Sequence, residues 1–393
     1  MILGIVCEFD PLHNGHARLL SHARTLGADT VVCAMSGNFT QRGSFAALSK
    51  LARAEMAVHC GADLVLELPT PWAMATAETF AAGGTALLDD AGAEALLFGS
   101  ECGDLPALRR LAGCLGSPEF AAALTAAPDT GATFAARRQR AAAALLDDGT
   151  AALLESPNNT LAVEYLRALR RTGSAMTPYT LRRTGAAHDG APADGTASAS
   201  HLRELLRQGS VGDACAYMPP AAAESLRREA AAGRTADAAF CQRAILSALR
   251  MMREEEWRAY DPGGEGLYSR VYRACRGACT LEELLAAAKT KRYPLARLRR
   301  MVLSAYLRLP PTPARPPYLR VLAANAAGRA HLRTLRDNGV PVLTKPADVP
   351  ALGAEAEALF ALEARCTDLY VLARPALAQA APGQDYRTVP VML

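Results

Sequence analysis

The first hundred residues constrain the fold more than any other stretch of the chain. Four short apolar runs, Ile2–Cys7, Thr30–Met35, Asp63–Leu68 and Ala93–Phe98, alternate with helical periodicity over about residues 15–26, 45–60 and 75–88. Runs that are apolar throughout, not at every second residue, read as strands covered on both faces. Strand and helix in alternation imply a parallel sheet with right-handed crossovers. Ala-rich helical sequence then runs from Leu105 to Leu146, and Met176–Arg182 reads as a further strand. Ala186–Thr196 reads as a loop, and Ser198 or Ser200 would cap a helix running to Gln208. After Met218-Pro219-Pro220 the pattern is helical only, over 221–232, 235–256, 268–275 and 281–307, followed by a stiff Pro-rich connector at 309–317. Two regions are expected, 1–215 and 216–393; the pattern over 318–393 is mixed and assigns no element.

The chain has 393 residues, 50% hydrophobic and 21% charged, which excludes wholesale disorder. Its apolar runs are too short to span a bilayer. The start, MILGIVCEFDP, has no basic stretch and meets an acid at Glu8, so it does not read as a signal peptide. Ten scattered cysteines predict reduced thiols and a cytoplasmic protein. The net charge of +4 hides an asymmetry. Twelve of the 43 Lys/Arg lie between Lys289 and Arg336 with no acid among them, leaving 31 basic against 39 acidic residues elsewhere. A block this one-sided predicts a polyanionic partner.

The strongest local signal is Asp10-Pro-Leu-His13-Asn14-Gly15-His16, where the first strand ends and the first helix begins. Ligands of open parallel sheets bind outside the strand carboxyl ends. A helix N-terminus there offers unpaired N–H groups to phosphate. Gly15 lets backbone approach a ligand closely. His13 and His16, spaced i, i+3, leave the same side of the first turn and suit a phosphate whose charge grows during reaction. Without a further ligand cluster they make a poor zinc site, and Cys275-x-x-x-Cys279 also lacks partners, so no metal site is expected. Neither a P-loop nor a GxSxG elbow occurs.

His13-Asn-Gly-His16 resembles the HxGH signature of the nucleotidylyltransferase superfamily. The ordered set Glu8–His16, Met35–Gly43, Asp63–Pro69, Phe98-Gly-Ser-Glu101, Ser156-Pro-Asn-Asn159 and Lys289–Tyr293 resembles, more specifically, the bacterial tRNA(Met) cytidine acetate ligase family. The resemblance runs from residue 2 to about 330. It implies a parallel-sheet, Rossmann-like α/β nucleotidylyltransferase domain followed by a mostly α-helical, tRNA-binding C-terminal region. It also implies formation of acetyl-adenylate from acetate and ATP, with magnesium, and transfer of the acetyl group to N4 of the wobble cytidine of elongator tRNA(Met). Neither DNA nor a membrane is an implied partner, and the oligomeric state is left open.

Carried over, the ATP segment is Val6, Cys7, Glu8, Phe9, Asp10, Pro11, Leu12, His13, Asn14, Gly15, His16 and Leu19, joined by Gly99, Asn159 and Arg183. His13 and His16 are the catalytic pair. Phe9, Asp10 and Leu12 replace the commoner Tyr, Asn and Phe. The stretch Arg183–Asp189, including His188, is one residue short for the family, and Arg183 is preferred to Arg182. Ser198 and Ser200, with Arg203 one turn on, resemble the helix start that holds the β- and γ-phosphates. Ser36–Gly43 supplies a polar loop at the same sheet end. Glu101 and Asp104 are candidate magnesium holders. Lys289, Lys291, Arg292, Arg297, Arg299 and Arg300 form the expected RNA patch, with Tyr293 stacking on an unpaired base. The alternative is a small-molecule nucleotidylyltransferase, which shares the HxGH turn but does not use the basic block.

Overall fold

Leu3, Ile5 and Cys7 of strand β1 (Ile2–Cys7) join one apolar cluster, whereas Ile2 and Val6 pack against the other. The same alternation divides Val31, Cys33 and Met35 from Val32 and Ala34 on β2 (Thr30–Ser36). Each strand thus buries both faces, which is why the apolar runs are continuous. The computed structural model describes residues 1–126, 133–183, 195–264 and 266–393; His188 lies outside the described residues.

The main sheet continues with β3 (Leu64–Leu68), β4 (Ala95–Ser100), β5 (Thr177–Arg182), β6 (Leu319–Ala324), β7 (Val342–Leu343) and β8 (Val391–Met392). In space the order is β8, β6, β3, β2, β1, β4, β5, with β7 pairing β6. The five strands from β3 to β5 are mutually parallel. The order reverses at β1, between β2 and β4, and there a ligand crevice opens at the carboxyl ends. The parallel α/β class read from the sequence is present.

The expected boundary near residue 215 does not divide the sheet. Strand β6, from the stretch that assigned no element, pairs antiparallel with β3, from Leu64↔Ala324 to Leu66↔Val321. The join is also ionic. Lys50 Nζ lies 2.8 Å from Glu67 and 2.7 Å from Asp385, and Arg320 lies 3.1 Å from Glu67 and 3.0 Å from Asp385, all four buried. Each cation there has a carboxylate from the other end of the chain, which is what lets such charges stay buried.

The crevice is framed by α1 (Asn14–Thr25), α3 (Ala77–Asp90), α4 (Pro157–Thr172) and α5 (Ala199–Arg207), while α2 (Lys50–His59) packs on the sheet at β3 and β6. The helical run expected over 281–307 is two helices, Leu281–Ala288 and α6 (Leu295–Leu307). Thr290 Oγ1 accepts the N–H of Arg292 and Tyr293 in the turn between them, ahead of Pro294. The ten cysteines are free thiols. No helix of the described residues is long and apolar enough to cross a membrane.

Candidate active site

Helix α1 begins with two histidines capping each other. The N–H of Gly15 donates to His13 Nδ1 at 3.1 Å, and the N–H of His13 donates to His16 Nδ1 at 3.4 Å. The rings stack, with centroids 3.7 Å apart at 23°. A Cβ on Gly15 would sit 3.0 Å from His13 Cε1, so glycine is what admits this stack. Both Nδ1 atoms accept, so the proton of each neutral ring sits on Nε2, and each ring presents one donor. Burial, helped by Arg183 and Arg203, pushes the His13 imidazole down to about 3. Burial, then His13 and Arg183, hold His16 well below the usual range. The pair is therefore held neutral.

These rings line a cavity of about 390 Å³ at the carboxyl ends of β1, β4 and β5. That volume lies within the ~300–1,000 Å³ typical of small-molecule sites. Of the expected nucleotide contacts, Val6, Cys7, Glu8, Phe9, Asp10, His13, Gly15, His16, Leu19, Gly99, Arg183, Ser198 and Ser200 line it. Ser198 rather than Ser200 caps α5, accepting the N–H of His201 at 3.2 Å. Arg203 joins α5 to the β1 turn, donating to Asp10 O at 2.7 Å and Ser200 Oγ at 3.1 Å. The guanidinium of Arg183 has no hydrogen bond or ion pair among the described residues. The walls between α3 and α4 are apolar, with Ala77, Phe80, Leu161 and Tyr165.

Four expected contacts do not line the cavity. Leu12 is fully buried in the core and Pro11 is buried in the turn. Asn14 is turned to the neighbouring loop, its Nδ2 donating to Gly195 O at 3.0 Å. Asn159 Oδ1 accepts the N–H of Glu101 at 2.9 Å and of Cys102 at 3.1 Å. Its neighbour Asn158 reaches the cavity instead. In return, Glu101 accepts the N–H of Asn158 at 3.1 Å and of Asn159 at 2.7 Å, capping α4 from the end of β4. Asp104 caps its own helix, accepting the N–H of Ala107 at 2.9 Å. Glu101 is thus occupied on both oxygens, and neither Glu101 nor Asp104 lines the cavity, so they are not placed to hold magnesium there. No group of three or more metal-ligating side chains occurs among the described residues.

Arg53 is the residue sequence reasoning missed. It is fully buried, and its guanidinium donates to the carbonyls of Leu48 at 3.0 Å, Glu8 at 2.6 Å, Ser36 at 3.1 Å and also Gly37. One side chain thus pins the ends of β1 and β2. Its only trace in the sequence is a charge on the apolar stripe of α2, beside Met56 and Ala57.

The basic patch is only partly as expected. Lys289, Lys291 and Arg299 are exposed, with no hydrogen bond or ion pair among the described residues. Arg300 Nη1 donates to Gln41 O at 3.2 Å, and Arg297 lies 3.3 Å from the buried carboxylate of Asp261. Arg292 is half-buried. Tyr293 is buried, with the Arg297 guanidinium 5.2 Å from its ring centroid, so it offers no open face to a base. Residue Gly43, at φ +71°, brings α6 against the loop that ends in the cavity; a Cβ there would lie 2.5 Å from Arg300 N. The basic helix and the cavity therefore share a wall.

The chain matches the model of the HIGH Nucleotidyl Transferase family over residues 1–385. It is 34% identical to the tRNA(Met) cytidine acetate ligase of Acetivibrio thermocellus, covering 98% of each chain, and 35% identical to that of Syntrophotalea carbinolica, covering 99% of this chain and 98% of the other. The crystal structure of Thermotoga maritima TmcAL bound with alpha-thio ATP superposes with a TM-score of 0.93 at 28% identity, covering 100% of this chain and 99% of that one. The chain belongs to the tRNA(Met) cytidine acetate ligase family. Family membership accounts for the whole chain, including the C-terminal strand β6, so the nucleotidylyltransferase sheet and the basic helix are parts of one shared architecture.

Proposed function

We propose that the protein activates acetate with ATP, giving acetyl-adenylate and pyrophosphate, and passes the acetyl group to N4 of the wobble cytidine of elongator tRNA(Met), giving N4-acetylcytidine. The observation that carries this reading is the stacked His13–His16 pair, with two Nε2–H donors in a cavity that shares a wall with a basic helix.

The triphosphate lies between the His13–His16 rings and the N-terminus of α5, where Ser198, Ser200, Arg183 and Arg203 face it. Acetate is ionised at neutral pH and needs no base. Its oxygen bonds to the α-phosphorus as the bond to the bridging oxygen breaks and pyrophosphate leaves. His13 and His16 stabilise the charge that builds on the phosphate oxygens. Magnesium is kept as the companion of the triphosphate and has no protein ligand in this reading. The acceptor base must come from a single-stranded loop for N4 to be reached, a demand the anticodon loop meets. The RNA lies along Lys289, Lys291, Arg292, Arg299 and Arg300, and the site of action is the cytoplasm. A small-molecule nucleotidylyltransferase leaves that helix without a use.

The test is incubation with ATP, magnesium, isotope-labelled acetate and tRNA lacking the modification, followed by mass spectrometry of the nucleosides. Labelled N4-acetylcytidine that requires ATP is the expected product. Acetyl-AMP without it would leave the acceptor wrong, and neither product would overturn the reading.

A further inference from the structure

The second half of the proposed reaction must dispose of a proton. The N4 amine of cytosine attacks the acetyl carbonyl and a C–N bond forms. The bond from that carbon to the adenylate oxygen breaks, AMP leaves with the electron pair, and the nitrogen sheds one proton.

Most acceptors in the cavity are already committed. His13 and His16 accept backbone N–H through Nδ1 and carry their proton on Nε2. Asp10 is buried; its Oδ1 accepts the N–H of Ala47 at 2.6 Å, and its Oδ2 lies 3.4 Å from Arg203. The Tyr165 hydroxyl is held protonated by burial. Glu8 differs. Its Oε1 accepts the N–H of Gln41 at 2.7 Å and the Ser36 hydroxyl at 3.4 Å, which fixes the carboxylate. Its Oε2 accepts no hydrogen bond from the described residues, and the side chain lines the cavity.

We propose that Glu8 is the base that receives the N4 proton during acetyl transfer, and that its carboxylate selects cytosine as the acceptor. The position fits. The N–H of Gln41 holds Glu8 while the carbonyl of the same residue holds Arg300 of the basic helix at 3.2 Å, so one residue separates the carboxylate from the RNA-side wall. A carboxylate pairs with the N4 amine of cytosine and faces a lone pair on O4 of uracil. Burial and the charge of Asp10 raise the Glu8 carboxyl, while the Gln41 N–H, Arg203 and Arg53 hold it down; the net direction is upward, toward a useful base. The titratable and charged groups around it are Cys7 and Asp10 at the end of β1, Arg53 on α2, Tyr165 on α4 and Arg203 on α5.

This inference rests on the acetate-ligase reading, and the test separates the two. Full-length protein is given chemically made acetyl-adenylate and unmodified tRNA(Met), and N4-acetylcytidine is followed in single turnovers from pH 5 to 9. The wild-type rate should rise with pH and level off. Glu8→Gln keeps an acceptor for the Gln41 N–H; it should be about 10²-fold slower on the plateau and lose the acidic limb. Glu8→Asp should restore part of both. A Glu8→Gln rate within threefold of wild type overturns the proposal. So does a slow variant that keeps the acidic limb, which would make the leaving phosphate the base. A flat wild-type profile overturns it with no variant at all. No N4-acetylcytidine from the wild type overturns the acetate-ligase reading, and this inference with it.

Discussion

An imidazole that gives its Nδ1 to a backbone N–H keeps a single proton on Nε2, and two such rings in face contact resist taking a second. In the unfolded chain His13 titrates near 6.5, whereas in the fold it sits at about 3. Between those values the unfolded state binds more protons. The stabilisation is therefore fully present above pH 6.5 and is lost as pH falls through about 3. Urea midpoints of the ligand-free protein should fall across this window, by at most about 1.4 kcal/mol per pH unit from this group, and His13→Gln should flatten that slope. The partner ring is asked for chemistry. His16→Ala should slow acetyl-adenylate formation about 10²-fold, the effect of removing one charge-stabilising donor, measured as acetate-dependent pyrophosphate exchange. A loss below threefold would remove His16 from the mechanism. That the two histidines share one turn was legible from their spacing. Which nitrogen each presents was not, because the tautomer follows from the mutual capping of His13, Gly15 and His16. Arg53 was illegible for a different reason: hydrophobic periodicity reads a charge on a buried stripe as noise, and only the four carbonyls around it explain its presence.

Elements meet at the loop from Ser36 to Phe45, and its geometry decides whether the basic helix reaches the cavity. The loop closes through a short antiparallel ribbon, Phe39–Thr40 with Ser44–Phe45. Asn38 ties it to the C-terminal part of the chain, its Nδ2 donating to Thr367 Oγ1 at 3.0 Å. At Gly43 both the backbone conformation and the space exclude a side chain. Gly43→Ala should cost about 1–3 kcal/mol, through a non-glycine residue at positive φ and overpacking against the backbone of α6. Because the displaced element is the basic helix, acetyl transfer to tRNA should fall about tenfold further than pyrophosphate exchange, a difference of about 1.4 kcal/mol. Equal losses in the two assays would show that the loop supports the fold alone. The paired glycines of Ser36–Gly43 marked this loop in the sequence. The break before α6 was marked too, by Tyr293-Pro294, but helical periodicity on both sides masks it. Strand β6 left no comparable mark, since a short antiparallel strand far along the chain follows no βαβ rhythm.

At the scale of the whole molecule, the run of twelve basic residues thins where acids distant in sequence are folded against it. Arg320 is drawn into the buried ion cluster with Glu67 and Asp385, Arg297 faces Asp261, and Arg315 Nε donates to Asp90 at 2.9 Å. A one-dimensional charge block therefore overstates the surface that can meet phosphate. Of the residues still exposed and without a hydrogen bond or ion pair among the described residues, Lys289, Lys291 and Arg299 lie near the cavity wall that Arg300 braces, whereas Arg308 and Arg333 lie further along the chain. Salt dependence can separate these classes, because each phosphate contact releases counterions and adds about 0.7–0.9 to the slope of log affinity against log salt. Substituting Arg299 or Lys289 by Ala should weaken tRNA binding about uniformly across sequences and lower that slope by about 1. Arg315→Ala should leave the slope where it was, since its guanidinium already belongs to Asp90. If Arg315→Ala lowered the slope as much as Arg299→Ala, the chain would attract tRNA through its summed field rather than through a face built at the mouth of the active site.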